Sequence, residues 1–397
     1  MLLGGLDLVW NKYYADMTVK LKKYKLGELI ELVTETNSNN TFGVDFVRGV
    51  SNTKEIQATK ANMTGRNLSK FLVVRKGGFV FNRRTTRNGE RLGLGYNDTE
   101  DIYIFTEDYV SFKVKCMELL DPTFLYIFFK RNEFDRYVRY NSWGSATEFF
   151  NWDDMCETPI TLPDIFIQRK YVAIYKGLQD NLAAYQSNLD DLKLTCDAYI
   201  DRLRHTIEPV RIGDYIEVVD KKNKEGRDLQ MLGMNKEKVF MPTVATTTNL
   251  NKAKYKVLRK GRFCFSGMQT GRDKCIRIAL YNEDVDALIS PAYTMFELNS
   301  KAILPEYFMM LFQRSEMDRL GAFLSDGSVR ANLDWDVFCD IKLPFPNLEI
   351  QESIVKIFKV YNERKKIAEK LKQQLSDICP ILIKGALEEG GAYGKEE

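Results

Sequence analysis

Histidine is all but missing from this chain: His205 is the single one among 397 residues. Imidazole is the commonest general base and metal ligand near neutral pH, so its scarcity removes most histidine-based catalysis and most metal sites. The seven cysteines are odd in number and include no Cys-x-x-Cys pair. That fits neither a disulfide framework nor a zinc site and leaves reduced thiols as the reading. No apolar run is long enough to span a membrane. The opening MLLGGLDLVWNKYYADMTVK lacks the charged start and sustained apolar core of a secretory signal, so a cytoplasmic protein without membrane contact is expected. A net charge of +3 is too small to announce nucleic acid by itself. What remains is ordinary for a folded protein, 44% hydrophobic and 28% charged, and too long for one core, which implies two or three domains.

The chain contains itself twice. At a constant offset of 183, Asp121 to Cys156 and Leu304 to Cys339 match at 12 of 36 positions without a gap, where composition alone gives roughly two. Among the matches are Arg131/Arg314, Asp135/Asp318, Gly144/Gly327, Ser145/Ser328 and Trp152/Trp335. KLGELIELV from Lys25 is answered by RIGDYIEVV from Arg211, and VVRKGGFVF from Val73 by VLRKGRFCF from Val257. Downstream, Ile160, Leu162 and Pro163 precede Gln168 as Ile341, Leu343 and Pro344 precede Gln351. Each copy is a strand-rich module followed by a long helix. Strands are expected at 79–81, 102–105, 110–114, 263–265 and 276–280, and helices at 122–140 and 305–323, each opening on a proline.

From Tyr171 the apolar positions run Tyr171, Tyr175, Leu178, Leu182, Tyr185, Leu189, Leu192, Cys196, Tyr199 and Leu203, in steps of four and three. The second copy gives Ile354, Ile357, Tyr361, Arg364, Ala368, Leu371, Leu375, Ile378 and Leu382. These are coiled-coil seams, and a narrow stripe must bury itself against a partner. The expected fold is therefore α+β, with two β-rich domains related by pseudo-twofold symmetry and separated by two long antiparallel coiled-coil helices. One helix from Ile165 to His205 would be roughly 60 Å long at 1.5 Å per residue. The expected divisions are an extension at 1–19, a first module at 20–163, a helix at 164–207, a second module at 208–346, a helix at 347–390 and a tail at 391–397.

Basic residues gather at equivalent places. Between Arg75 and Arg91 six of them accompany one acid, Glu90, and between Lys256 and Arg277 seven accompany Asp273 alone. Each stretch follows a strand-like run and mixes cations with Asn, Thr, Gln and Gly, the side chains that reach phosphates and base edges. The candidates for DNA contact are Asn82, Arg83, Arg84, Arg87, Asn88 and Arg91 in the first copy, and Gln269, Thr270, Arg272 and Lys274 in the second. The pairs Gly144-Ser145 and Gly327-Ser328 either offer backbone amides to phosphate or form a turn packed under the following Trp. The loops diverge while their flanks repeat, as two different half-sites would require.

The junctions LPDIFIQRKYV and LPFPNLEIQESIV, each leading into a long helix, resemble the specificity subunits of type I restriction-modification systems. Leu343, Pro344, Pro346, Gln351 and Ile354 follow that family's pattern with one extra residue before the Gln, whereas the first copy keeps Leu162, Pro163 and Gln168 without a second Pro. The resemblance implies two target-recognition domains reading a split site on double-stranded DNA. It also implies helices that bind two methyltransferase subunits, here represented by Tyr171, Leu178, Leu182, Leu189, Leu192, Ile354, Tyr361, Leu371 and Leu375. By the same resemblance S-adenosylmethionine sits on those partners, restriction and motor subunits join the assembly, and this chain holds no cofactor, metal or catalytic residue. The alternative is a coiled-coil adaptor that binds protein alone.

Enzyme readings fare poorly on the residues themselves. There is no Pro-Pro for a methyltransferase loop, and Gly93-Leu94-Gly95 is a lone GxG. Pro163-Asp164 with Asp191-Leu192-Lys193 spells a nuclease pattern, but Leu192 belongs to the helical seam, while that site needs its Asp and Lys on a strand.

Overall fold

The computed structural model describes residues 21–59, 61–84, 91–144, 148–243, 250–268, 270–327 and 331–392. The first copy contains β1 (Lys22–Lys25), β2 (Ile30–Val33), β3 (Arg48–Val50), β4 (Ile56–Ala58), β5 (Leu72–Val74), β6 (Gly78–Asn82), β7 (Leu94–Tyr96), β8 (Tyr103–Phe105) and β9 (Tyr109–Val114). Then come α1 (Pro122–Phe129), α2 (Asn132–Tyr140), α3 (Trp152–Glu157), β10 (Pro159–Leu162), α4 (Ile165–Gln186) and α5 (Leu189–Thr206). The second copy contains β11 (Val210–Arg211), β12 (Ile216–Val218), β13 (Met231–Met234), β14 (Phe240–Pro242), β15 (Lys256–Leu258), β16 (Phe263–Ser266), α6 (Thr270–Asp273), β17 (Arg277–Leu280), β18 (Ala287–Ile289) and β19 (Thr294–Leu298). It closes with α7 (Pro305–Phe312), α8 (Ser315–Leu324), α9 (Trp335–Cys339), β20 (Lys342–Leu343) and α10 (Leu348–Ala392).

Two compact units form, one from residues 1–184 with 368–397 and one from residues 185–367. Each therefore holds one strand-rich module, the start of the helix that follows it, and the end of the other helix.

In the first unit β2-β9-β6-β7 make a four-stranded antiparallel sheet, with Phe79 opposite both Phe112 and Tyr96. Alternation along β6 explains its burial on both faces. Phe79 and Phe81 enter the main core with the α1 side chains, while Val80 joins Val74 and Phe105 behind the sheet. The second unit repeats this with β12-β19-β16-β17: Phe263 and Phe265 face the main core, and Cys264 packs with Leu258 and Ile289. Each buried aromatic contributes about 2–3 kcal/mol of transfer free energy. A short antiparallel pair closes each module, Lys22 opposite Leu162 and Val210 opposite Leu343.

The expected helices at 122–140 and 305–323 are each broken in two. Arg131 and Arg314 stand at the breaks in extended backbone, ψ 144° and 143°, as the N-caps of α2 and α8. The first halves are sunk in the cores, with every residue of α1 after its proline buried, so the chain must turn before its polar second half can reach solvent. Asp121 caps α1, its Oδ1 accepting from the Thr123 and Phe124 amides at 2.8 and 3.2 Å.

The helix expected as continuous from Ile165 to His205 is also interrupted. Asn188 takes the left-handed conformation (φ 61°, ψ 9°) between α4 and α5, a backbone state that Asn tolerates better than most side chains. The seam changes accordingly. Cys196, Ile200 and Leu203 are buried in the second unit, while Tyr199, expected in the seam, is 42% exposed.

Within each unit the helix ends run antiparallel. In the first unit the Tyr171 ring lies against Gly385, its hydroxyl donates to Glu389 at 3.1 Å, and Pro163 lies against Gly390. A Cβ at Gly385 would come within 2.9 Å of that ring, so glycine permits the approach. In the second unit Ile200 and Leu203 of α5 share a core with Ile354 and Val355 of α10, and the Arg364 guanidinium sits 6.0 Å from the Tyr185 ring. No described helix is long and apolar enough to cross a membrane.

Candidate nucleic-acid interface

The flanks of the basic segments and those of the Gly-Ser pairs, far apart in sequence, are stitched together in both units. Beyond β6, the Phe150 amide donates to the Arg83 carbonyl at 2.9 Å, and Arg84 bridges Phe149, which also exchanges backbone hydrogen bonds with Trp143. In the second unit the Leu333 amide donates to the Gly267 carbonyl at 2.9 Å, and the Gly271 amide to Ala331 at 2.9 Å. Any Cβ at Gly267 would fall 1.8 Å from the Leu333 carbonyl oxygen, so only glycine fits this crossing.

Asn82, Arg83 and Arg84 are half-buried at the root of the first basic segment, and Arg91 is exposed at its other end. The Asn82 carboxamide oxygen accepts from the Arg84 amide at 3.0 Å, and Arg83 Nε reaches the Asp108 carbonyl at 3.4 Å. Gly144 is exposed at φ 144°, a backbone state open to glycine, and Gly327 is exposed with open space where a Cβ would stand. Arg87, Asn88, Ser145, Gln269 and Ser328 lie outside the described residues.

Thr270 requires correction as a base-contacting candidate. It is fully buried, and its hydroxyl donates to the Gly267 carbonyl at 2.9 Å. It starts α6 and holds the crossing rather than facing outward. Arg272 and Lys274 are exposed, Lys274 at φ 50°. Asp273 gathers the cations around it, with Arg277 at 2.6 Å, Lys236 at 3.4 Å and Arg272 at 3.6 Å. The Arg277 hydrogen bond leads in holding its carboxyl below the ordinary range.

Each unit holds an ion pair with a buried lysine, its carboxylate nearly buried in the first unit and half-buried in the second. Lys54 Nζ meets Asp135 Oδ1 at 2.5 Å, and the same carboxylate oxygen accepts from the Leu92 amide at 3.2 Å, just past the basic segment. Lys238 meets Asp318 at 2.7 Å, and that carboxylate accepts from the Ile276 amide at 2.9 Å. Both lysines sit in hairpin turns at left-handed backbone, φ 63° and 62°. Asp135 and Asp318 are identities of the repeat, but the lysines escape a reading by composition. Their one signal is a lysine three residues past Ser51 or Asn235, in a five-residue turn between strand-like runs.

Gln168 and Gln351, both fully buried, tie the long helices to the modules. Gln168 Nε2 donates to the Leu119 and Pro163 carbonyls at 2.8 and 2.9 Å, and its Oε1 accepts from the Asp121 amide at 3.0 Å. Gln351 does the same with Ala302, Pro346 and Leu304 at 2.8, 2.7 and 2.8 Å. The counterpart of Pro163 in this latch is thus Pro346, although Leu162 and Leu343 remain equivalent in strand pairing.

Of the helical residues expected to hold partners, Ile354, Leu371 and Leu375 require correction because they are buried. Ile354, Leu371 and Leu375 are at most 9% exposed, and Tyr171, Leu178, Leu182, Leu189, Leu192 and Tyr361 are half-buried. Tyr171, Leu178 and Leu182 pack against the first unit's own core. On the same helices Ile174, Leu194 and Val360 are exposed. Among the described residues no group of His, Cys, Asp and Glu could hold a metal ion.

Residues 205–377 match the family described as Type I restriction modification DNA specificity domain. This stretch is a type I restriction-modification specificity domain. It spans nearly all of the second unit, and the first unit repeats its central sheet, its Gln latch and its buried Lys–Asp pair. The S subunit of a type I restriction-modification system from M. genitalium shares the specificity fold over 95% of this chain and 97% of its own, with a TM-score of 0.58 at 13% identity. An HsdS subunit from Thermoanaerobacter tengcongensis matches 95% of this chain and 97% of its own at 16% identity, with a TM-score of 0.34. Among curated proteins, none matches this sequence.

Proposed function

We propose that this chain reads a bipartite target on double-stranded DNA and directs the methyltransferase and restriction subunits of a type I complex to it. One observation supports the reading above others. In each unit an Arg/Lys-rich segment and a Gly-Ser segment are joined by backbone hydrogen bonds on repeated scaffolding, Phe150 to Arg83 and Leu333 to Gly267, while their exposed residues differ. Cations placed beside polar side chains can both neutralise phosphate and address base edges. In this reading recognition belongs to this chain and chemistry to its partners. Two methyltransferase subunits bring S-adenosylmethionine, and motor-nuclease subunits complete the assembly.

The test is competition binding by the complex formed with methyltransferase partners, using duplexes randomised in one half-site at a time. Arg83→Ala should relax preference in one half and Arg272→Ala in the other, each by about 1–3 kcal/mol at the affected base pair. Affinity should fall steeply with salt. Equal affinity for all duplexes defeats the proposal, and binding of protein partners without any DNA preference would favour an adaptor.

A further inference from the structure

The two units part company at one repeated position. Arg314, at the break between α7 and α8, is 6% exposed, and its guanidinium grips two aspartates of α5, Asp197 at 3.0 Å and Asp201 at 2.7 Å. Arg131 stands at the equivalent break between α1 and α2, where it faces the end of α10. At the offset of 183 the two aspartates become Pro380 and Lys384.

Arg131 retains a hydrogen bond from Nε to the Phe128 carbonyl at 3.1 Å and lies 4.2 Å over the Phe128 ring. Among the described residues Arg131 forms no ion pair, and the carboxylate that acts on it most is its neighbour Glu133. Arg131 lines a cleft of 260 Å³ in which Phe134, Tyr137, Ile383 and Leu387 alternate with Glu133, Thr158 and Thr161. A second recess of 440 Å³ shares Arg131, Ile383 and Leu387 and adds Lys384. Burial lowers the Arg131 pKa, whereas for Arg314 burial is outweighed by Asp201 and Asp197. A partly desolvated guanidinium beside apolar side chains invites an external carboxylate, because the charge is costly to bury without a close partner.

We infer that the Arg131 cleft docks a partner protein through an acidic side chain flanked by an apolar residue, its carboxylate filling the role that Asp197 and Asp201 play for Arg314. Phe134, Ile383 and Leu387 offer contact to the flanking apolar side chain.

A fluorescent acetyl-Leu-Glu-Leu-amide peptide titrated into the full chain, with the Leu-Gln-Leu peptide as control, tests this. The Glu peptide should bind on the order of tenfold more tightly than the control, and Arg131→Met should erase the difference. Lys384→Asp, at a side chain 77% exposed, restores the internal carboxylate. It should abolish peptide binding and raise the melting temperature of the first unit, which keeps the inference testable even where Arg131→Met fails to fold. Equal binding of the two peptides, binding of neither, displacement by a short DNA duplex, or a Lys384→Asp chain that still binds the peptide would each overturn it.

Discussion

Lys54 brings its ammonium into the interior of the first unit from a left-handed turn, and Asp135 meets it there at 2.5 Å. Lys238 and Asp318 repeat the arrangement at 2.7 Å in the second unit. Each pair fastens three things at one point: a hairpin turn, the second helix of the broken pair, and a backbone amide at the C-terminal edge of a basic segment, Leu92 or Ile276. Burial pulls the Lys54 pKa down, and Asp135 works against that. Burying the ammonium carries a desolvation cost that Asp135 offsets, so the pair is weak evidence for added stability.

Removing one member should be far worse than removing both. Lys54→Ala leaves a buried carboxylate without its partner and should cost about 3–5 kcal/mol. Lys54→Met with Asp135→Leu should recover much of that loss in urea denaturation. If the double variant also loses DNA half-site preference while regaining stability, the pair positions the basic segment. A double variant as unstable as the single one would contradict this account.

How far the residues alone reveal this molecule depends on what each pattern encodes. The sheet strands are legible because runs such as Phe79 to Phe81 alternate between two cores. The junction glutamines stand out by repetition. Lys54 and Lys238 do not, since a lysine reads as surface unless its carboxylate is known to lie 81 or 80 residues away. The break at Asn188 leaves no mark on a four-three seam, because the apolar spacing continues through it. Thr270 looked suited to base contact by residue type, yet type says nothing about the crossing at Gly267 that covers it.

The junction glutamines yield a second prediction. Each donates to two carbonyls and accepts from one amide in full burial, so Gln351→Ala strands three backbone groups and should cost about 3 kcal/mol or more. Gln351→Glu should be worse, because a carboxylate would face the Ala302 and Pro346 carbonyls where an amide now donates. Urea midpoints in the order wild type, Ala, Glu would agree, and Glu above Ala would not.

Asp273 gives a pH signature. Its folded pKa lies below the ordinary 3.8, chiefly through the Arg277 hydrogen bond. The stabilisation is therefore complete above 3.8 and drains away as pH falls through the depressed folded value. Asp273→Asn should flatten the acid limb of the stability profile below pH 3.8 and leave the slope near neutrality unchanged. An unchanged acid limb would show that the three surrounding cations do not act on this carboxylate.

The thiols can report on each unit separately. Cys264 and Cys379 are fully buried, and burial is the leading cause that raises their pKa values to about 12 and about 11. Thiolate is the reactive form, so at pH 8 these two should resist a disulfide reagent while the half-buried Cys116 and Cys156 label first. Cys379 packs in the core of the first unit and Cys264 in the second. Lys54→Ala should accordingly speed labelling of Cys379 and leave Cys264 slow, whereas Lys238→Ala should do the reverse. Peptide-resolved labelling with both thiols accelerated by either substitution would mean that the units open together, and the two buried ion pairs would then act on one cooperative structure instead of two.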